Sequence, residues 1–242
     1  MTKKGFSIDD ITLASIIIST LFIFSYATYK ELTGKEYRDD YILGVNIAIV
    51  SYQLLLLLLV FISTNFNVPE GILNFIQPMI IFGITLFAFR FFKLGLNWDA
   101  KPQKVIYAVL VGIIFGASFF YVGESAPVLF DNGILVLLVF TFFVAIAEEL
   151  LFRNIIFSLA EKAFTKTTAL YTQAMVFSLI HFSSSVLDMQ WWRLLIYLGL
   201  LFLFAVVAGL FIEQDEQKNM NLTYAIIIHL VANLINIFFS LF

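Results

Sequence analysis

The chain is short of the residues on which soluble and secreted domains depend. It has no cysteine, four prolines and two histidines among its 242 residues, and only 13% of them are charged. The missing cysteines exclude disulfides, thiolate metal sites and a cysteine nucleophile. A soluble domain has about 25% charged and about 45–50% apolar residues, whereas 61% of this chain is apolar. A core of this size cannot bury that excess, so a water-soluble fold is excluded.

The charge balance and the aromatic content exclude two further classes of protein. The net charge is −3, and a nucleic-acid-binding domain needs a basic stripe that such a balance does not supply. A disordered chain has few aromatic residues, but 17% of this chain is aromatic. We therefore expect an integral membrane protein whose few ionisable side chains carry the information on function.

Long apolar stretches predict an all-α, polytopic membrane protein with about eight transmembrane helices. A helix needs about 20 apolar residues to cross the hydrocarbon core. The stretches that reach or approach this length are Ile11–Tyr29, Tyr41–Ser63, Ile72–Phe92, Val105–Val122, Ile134–Leu159, Thr167–Leu187, Trp192–Ile212 and Leu222–Phe242. The alternation of apolar and polar residues that is typical of a membrane β-barrel is missing.

The loop charges predict how these helices are oriented. One side of the membrane carries Lys3, Lys4 and Arg193. The other side carries Lys30, Lys35, Arg38, Lys93, Lys101, Lys104, Lys162, Lys166 and Lys218. The positive-inside rule places the richer side in the cytoplasm of a multi-pass protein in the cell membrane.

Three charged residues lie within one predicted span, Ile134–Leu159. They are Glu148, Glu149 and Arg153, and each costs about 2.5–3.5 kcal/mol at the centre of a membrane helix. Glu149 and Arg153 are four residues apart and share a helix face, which favours a structural ion pair. Glu148 has no cation at that spacing. It must find a partner on another helix or take up a proton, which makes it a candidate general base.

Both histidines also lie in apolar spans. His181 follows Phe177 by four residues, and His229 shares a helix face with Asn233. A single membrane histidine is most simply explained by a hydrogen bond between helices, but two histidines with two glutamates and an asparagine favour a common site. Glu148 would then activate water, and imidazole and carboxamide donors would stabilise the oxyanion. The same residue types also bind a divalent metal such as zinc.

Depth in the membrane agrees with convergence of the candidate residues. At about 1.5 Å per residue from the cytoplasmic end of each span, Glu148, His181 and His229 lie roughly 17, 21 and 11 Å deep. We therefore expect them to meet in one cavity in the inner to middle membrane, open toward the cytoplasmic side.

The order of these motifs on successive late helices resembles the CPBP (also called Abi) intramembrane protease family, which includes the type II CAAX prenyl endopeptidases. The motifs are Glu148-Glu149-x-x-x-Arg153, Phe177-x-x-x-His181 and His229-x-x-x-Asn233. The resemblance covers roughly Phe140 to Asn236. It implies an eight-helix intramembrane endopeptidase with a CAAX-protease-like helical bundle.

The resemblance also implies roles, cofactors and partners. Glu148 corresponds to the water-activating glutamate, His181 to its partner in proton handling, His229 and Asn233 to the oxyanion-stabilising pair, and Glu149 and Arg153 to the pair that orients the motif. The enzyme would need either no cofactor or one divalent metal, with zinc possible and Glu148, His181 and His229 as ligands. Its partners would be membrane lipid and a peptide or protein substrate, such as peptide signals, bacteriocin-related proteins or lipidated proteins.

We expect one transmembrane domain over residues 1–242. Residues 1–130 would supply N-terminal helices of uncertain role, and residues 134–242 the catalytic core. A non-catalytic immunity or scaffold protein and a proton-coupled transporter stay open as alternatives, since buried Glu and His also serve proton relays. Gly112-x-x-x-Gly116 permits a close approach of helices and favours packing within the chain over dimerisation. The oligomeric state stays open.

Overall fold

The computed structural model describes residues 96–122, 134–181, 190–214 and 219–240, with a few single helical residues between 45 and 90. Over these ranges the chain is mostly helical, as predicted. The predicted spans Ile11–Tyr29, Tyr41–Ser63 and Ile72–Phe92 lie outside the described residues, apart from those single positions. The count of eight transmembrane helices therefore stays a prediction.

The described elements follow one another in a helical chain with one small sheet. They are β1 (Leu96–Asn97), α1 (Pro102–Val122), α2 (Ile134–Glu149), a π-helical segment (Leu150–Ile156), α3 (Phe157–Ala163), α4 (Lys166–Ile180), α5 (Trp191–Leu210), β2 (Glu213–Gln214), β3 (Met220–Asn221) and α6 (Thr223–Ser240). Because α2, the π-helical segment and α3 are continuous, the described ranges contain five helices. Of these, α1, α5 and α6 are long and apolar enough to cross a membrane.

Two of the predicted spans differ from the helices observed. Thr167–Leu187 was predicted as one helix, but α4 ends at Ile180 and His181 is its C-cap. The backbone N–H of His181 bonds to the carbonyl of Leu179, and the imidazole Nδ1 lies 2.7 Å from the Phe177 carbonyl oxygen. In an unbroken α-helix, the Phe177 carbonyl would accept a hydrogen bond from the backbone N–H of His181.

The span Ile134–Leu159 contains a π-helical segment that the prediction of a simple helix missed. All seven of its residues are buried, and it continues directly into α3. A run of apolar residues is compatible with either type of helix, so hydropathy does not reveal the change of winding. Short π-helical segments are frequent at functional sites.

Local side-chain chemistry explains where several helices begin. Pro102 opens α1, where its missing N–H is not needed and its fixed φ suits the first turn. The hydroxyl of Thr165 accepts a hydrogen bond from the Thr168 N–H at 3.2 Å and caps α4. Asn221 accepts one from the Thr223 N–H at 3.0 Å where α6 begins.

A three-stranded sheet ties one end of α1 to the ends of α5 and α6. β3 is central, parallel to β1 and antiparallel to β2, with Leu96 and Gln214 both opposite Met220. Lys104 of α1 pairs with Glu213 of β2. Above this sheet end, α1 packs along α6 and α4 along α5, and the π-helical segment lies within the core.

Candidate active site

Glu148 and the two histidines converge from three helices. Glu148 is the penultimate residue of α2, His181 caps α4, and His229 lies in α6. Oε2 of Glu148 is 3.7 Å from Nε2 of His181 and 3.8 Å from Nε2 of His229. The side chains of Glu148 and His229 are 12% and 6% exposed, whereas that of His181 is 24% exposed. The site is therefore enclosed but accessible on the His181 side.

The separations at Glu148 are longer than direct hydrogen bonds. Oε2 of Glu148 is buried and has no hydrogen-bond partner among the described residues. Polar groups more than about 3.5 Å apart are commonly joined through a shared water molecule. The carboxylate and the two imidazoles are therefore close neighbours that do not hydrogen-bond to one another directly.

Each imidazole is held by its Nδ1 atom, which fixes the tautomer of the neutral ring. Nδ1 of His181 lies 2.7 Å from the Phe177 carbonyl oxygen, and a carbonyl can only accept. Nδ1 of His229 lies 2.8 Å from Oε1 of Glu149, and an ionised carboxylate also only accepts. Both neutral rings therefore present an Nε2 lone pair toward Glu148. Each becomes a donor there only as an imidazolium.

Glu149 is completely buried, and its Oε1 atom has two partners. Arg153 Nη1 lies 3.0 Å from this atom, and His229 Nδ1 lies 2.8 Å from it. The Arg153 nitrogens make no hydrogen bond of good geometry, so the close approach to Glu149 is an ion contact. The i, i+4 spacing predicted this pair. The link from Glu149 to His229, on another helix, had no sequence pattern that predicted it.

Two buried phenylalanines, Phe177 and Phe204, complete the surroundings of these groups. The Arg153 guanidinium lies 4.3 Å from the centre of the Phe177 ring and 5.7 Å from that of Phe204, within the range of a cation–π interaction. Phe177 also packs against His181, with ring centres 4.5 Å apart. Phe204 meets the His229 ring edge to face at 5.3 Å. Sequence reasoning missed Phe204, because nothing distinguishes it from the other apolar residues of α5.

Asn233 lies one turn after His229 on the same face of α6, where it is partly buried. Its amide makes no hydrogen bond within the ranges given above. Asn154, which the motifs did not include, is fully buried in the π-helical segment, and neither of its amide atoms has a partner there. The role of Asn233 at the site therefore stays a prediction.

Three of the predicted site residues are also the predicted metal ligands. Glu148, His181 and His229 are residue types that zinc accepts as ligands. Within the described part of the chain, however, no group of three or more His, Asp or Glu side chains is arranged to hold a metal ion.

Comparison with protein families matches the late helices of the chain. Residues 129–235 match the family model described as type II CAAX prenyl endopeptidase Rce1-like. We refer to residues 129–235, which are similar to this family, as the Rce1-like domain. The match confirms the resemblance that the motifs indicated, and all six predicted site residues lie within it. Comparison with curated proteins and with solved structures gives no match.

The Rce1-like domain begins before α2 and ends within α6. It therefore includes every helix that supplies a predicted site residue, but not β1 or α1. The matched model describes an endopeptidase family, and the three apolar helices agree with a membrane protein.

Proposed function

We propose that the chain is an intramembrane endopeptidase in which Glu148 activates water for attack on a peptide bond. The observation that supports this most strongly is the approach of Glu148 Oε2 to the two Nε2 atoms at 3.7 and 3.8 Å. Each imidazole is oriented by a hydrogen bond at its Nδ1 atom. A carboxylate and two oriented imidazoles around one water position provide general acid–base groups within reach of the reacting oxygen.

In the proposed reaction, Glu148 acts first as base and then as acid. The water oxygen bonds to the peptide carbonyl carbon while Glu148 accepts one of its protons. His181, with its Nε2 lone pair, accepts a hydrogen bond from the second hydrogen and orients the water. Glu148 then gives its proton to the amide nitrogen as the C–N bond breaks. The products are a new carboxyl terminus and a new amino terminus.

His229 and Asn233 are proposed to stabilise the oxyanion that forms between these two steps. Asn233 offers an amide N–H one turn from His229. His229 with hydrogen on Nδ1 can donate from Nε2 only as an imidazolium. The Glu149 carboxylate at 2.8 Å from Nδ1 stabilises that cation and fixes the ring, as carboxylates do for the histidine of catalytic triads.

We propose that the site opens toward the cytoplasmic side of a cell membrane. Gln214 of β2 donates a hydrogen bond to Glu161 of α3 at 2.7 Å, and Lys104 pairs with Glu213. These contacts join the helix ends that carry Lys101, Lys104, Lys162 and Lys166. The positive-inside rule places such an end in the cytoplasm. The site lies close to this end, because His229 follows the start of α6 by six residues, or about 9 Å along the helix.

The proposed substrate is a peptide or protein that reaches the site from the membrane. Peptide signals, bacteriocin-related proteins and lipidated proteins are the classes that the family resemblance suggests. The proposed reaction uses only groups of the chain and water, with no cofactor.

The proposal is tested by replacing the base without changing its shape. Membranes from cells that produce the wild type, Glu148→Gln or Glu161→Gln are analysed by mass spectrometry for new peptide termini. Glu161 is an acidic residue of the sheet end and serves as the matched control. We expect new peptide termini in membranes from cells that produce the wild type. Their abundance should persist with Glu161→Gln and fall by about 100-fold or more with Glu148→Gln.

Other outcomes would favour the alternatives. Termini that persist with Glu148→Gln would contradict the role of Glu148. A wild type that generates no termini would favour an immunity or scaffold protein. A flux driven by a pH gradient, lost with Glu148→Gln in the absence of cleavage, would favour a transporter.

A further inference from the structure

Helix α1 lies outside the Rce1-like domain, yet it packs against the part of α6 that carries His229 and Asn233. Two buried glycines, Gly112 and Gly116, face α6 in this contact. Glycines on a helix face let two backbones approach closely. The four-residue spacing of the glycines equals that of the two site residues.

Gly112 contacts α6 immediately before His229. A Cβ atom at Gly112 would lie 2.8 Å from the carbonyl oxygen of Ile228 and 2.7 Å from Cβ of Val231. Ile228 directly precedes His229 in the chain. The close contact of the two helix backbones therefore fixes the position of His229 relative to α1.

Gly116 makes the equivalent contact immediately before Asn233. A Cβ atom there would lie 2.5 Å from the carbonyl oxygen of Ala232 and 2.7 Å from Cβ of Ile235. Ala232 directly precedes Asn233. A backbone carbonyl within a helix cannot rotate away, so an added methyl group would displace α6 from α1 by on the order of 0.5–1 Å.

An aromatic contact independent of the glycines also connects α1 with the site. Phe115 of α1 meets the Phe204 ring edge to face at 5.3 Å, and Phe204 meets the His229 ring at 5.3 Å. At the sheet end, β1 pairs with β3 directly before α6. The position of α6 thus depends on α1 along its length.

We infer that α1 is a positioning element of the site, in which Gly112 and Gly116 set the distance of α6. This distance between α1 and α6 keeps His229 in contact with Glu149 and fixes the position of Asn233. The positioning itself follows from the contacts, whereas its effect on catalysis rests on the proposed function.

The test uses the fact that the chain has only two histidines. A chain labelled with ¹⁵N-histidine gives imidazole NMR signals from His181 and His229 alone, and His181 lies on α4, away from the glycine contact. We expect Gly112→Ala and Gly116→Ala to shift the His229 signals and weaken its Nδ1 hydrogen bond to Glu149, while the His181 signals stay in place.

The matched control is Gly199→Ala in α5. Gly199 is exposed, and a Cβ atom there meets nothing within 4 Å, so we expect neither histidine to respond. Ile235→Ala is the second variant, because it loosens the same contact without a clash. It should move the His229 signals alone even where an alanine at Gly116 prevents folding.

Peptide cleavage provides the second measurement. We expect kcat to fall about 10- to 100-fold in the two glycine variants, with KM changed less than twofold, because a displacement near 1 Å misaligns reacting groups. His229 signals that stay at the wild-type position in folded variants would overturn the inference, as would equal shifts of both histidines. If the wild type cleaves nothing, the proposed function fails, while the NMR result still decides the inference.

Discussion

Replacing Glu149 with glutamine should destabilise the fold, whereas the same change at Glu148 should not. The two glutamates are neighbours in the chain, yet their surroundings differ. Glu149 is fully buried and contacts both Arg153 and His229 through Oε1. Glu148 makes no hydrogen bond through Oε2 to the described residues and borders the enclosed site. Glutamine keeps the shape of either side chain, removes the charge and replaces one carboxylate oxygen with an NH₂ donor.

The size of the effect follows from the partners that each glutamate would leave behind. Removing one partner of a buried ion pair costs about 3–5 kcal/mol, because the other charge stays buried. The Phe177 ring at 4.3 Å faces the guanidinium of Arg153 in the wild type and in the variant alike, so this cation–π contact does not change the difference. We therefore expect Glu149→Gln to lower the free energy of unfolding by about 3–5 kcal/mol. Glu148→Gln loses no hydrogen bond through Oε2 to the described residues and should change the free energy of unfolding by about 1 kcal/mol or less.

Reversible unfolding in mixed detergent micelles, followed by fluorescence of the three tryptophans, measures both values. Glu148→Gln is the matched control, since it makes the same chemical change one residue away. Equal destabilisation by the two variants, or a larger loss with Glu148→Gln, would refute this division of roles. A Glu149→Gln protein as stable as the wild type would show that Arg153 does not depend on this carboxylate.

Three further predictions concern Arg153, the sheet end and metal dependence. Arg153→Lys should lower the free energy of unfolding by about 1–2 kcal/mol in the same assay, because an ammonium group does not replace a planar guanidinium stacked on Phe177. Greater stability of that variant would contradict the stacking argument. Lys104→Gln should leave the free energy of unfolding nearly unchanged, since the pair with Glu213 is screened by water. A clear loss of stability in that variant would assign this pair a larger role. Peptide cleavage should be the same before and after treatment with a zinc chelator. Loss of cleavage that added zinc restores would instead establish a metalloprotease.

The identity of the candidate residues was predictable because each differs from its apolar surroundings. A carboxylate or an imidazole within a membrane span is visible without coordinates, and Glu148, His181 and His229 were found in this way. The i, i+4 rule also predicted the contact between Glu149 and Arg153. Their order along the chain then carried the resemblance that the family comparison confirms over residues 129–235.

Relative depth was less predictable than identity. Counting residues at about 1.5 Å each separated His181 and His229 by roughly 10 Å in depth, yet both lie within 4 Å of Glu148. The count assumes upright helices that start at one level. Helices that tilt and begin at different heights do not follow it.

Contacts between helices also could not be predicted from the sequence. The hydrogen bond from His229 to Glu149 joins residues 80 positions apart, and Phe204 resembles many other apolar residues until its neighbours are known. The strands of the sheet have two residues each, too few for a periodic pattern to appear.

The π-helical segment holds more residues than an α-helix of the same span would. Because a π-helix closes its hydrogen bonds over five residues instead of four, it turns less per residue than an α-helix. Deleting one residue between Leu150 and Ile156 would therefore let the backbone rewind as an α-helix while Glu148 nearly keeps its orientation about the helix axis. Natural relatives with one residue fewer here are expected to have a plain α-helix in place of this segment, with the glutamate still facing the histidines.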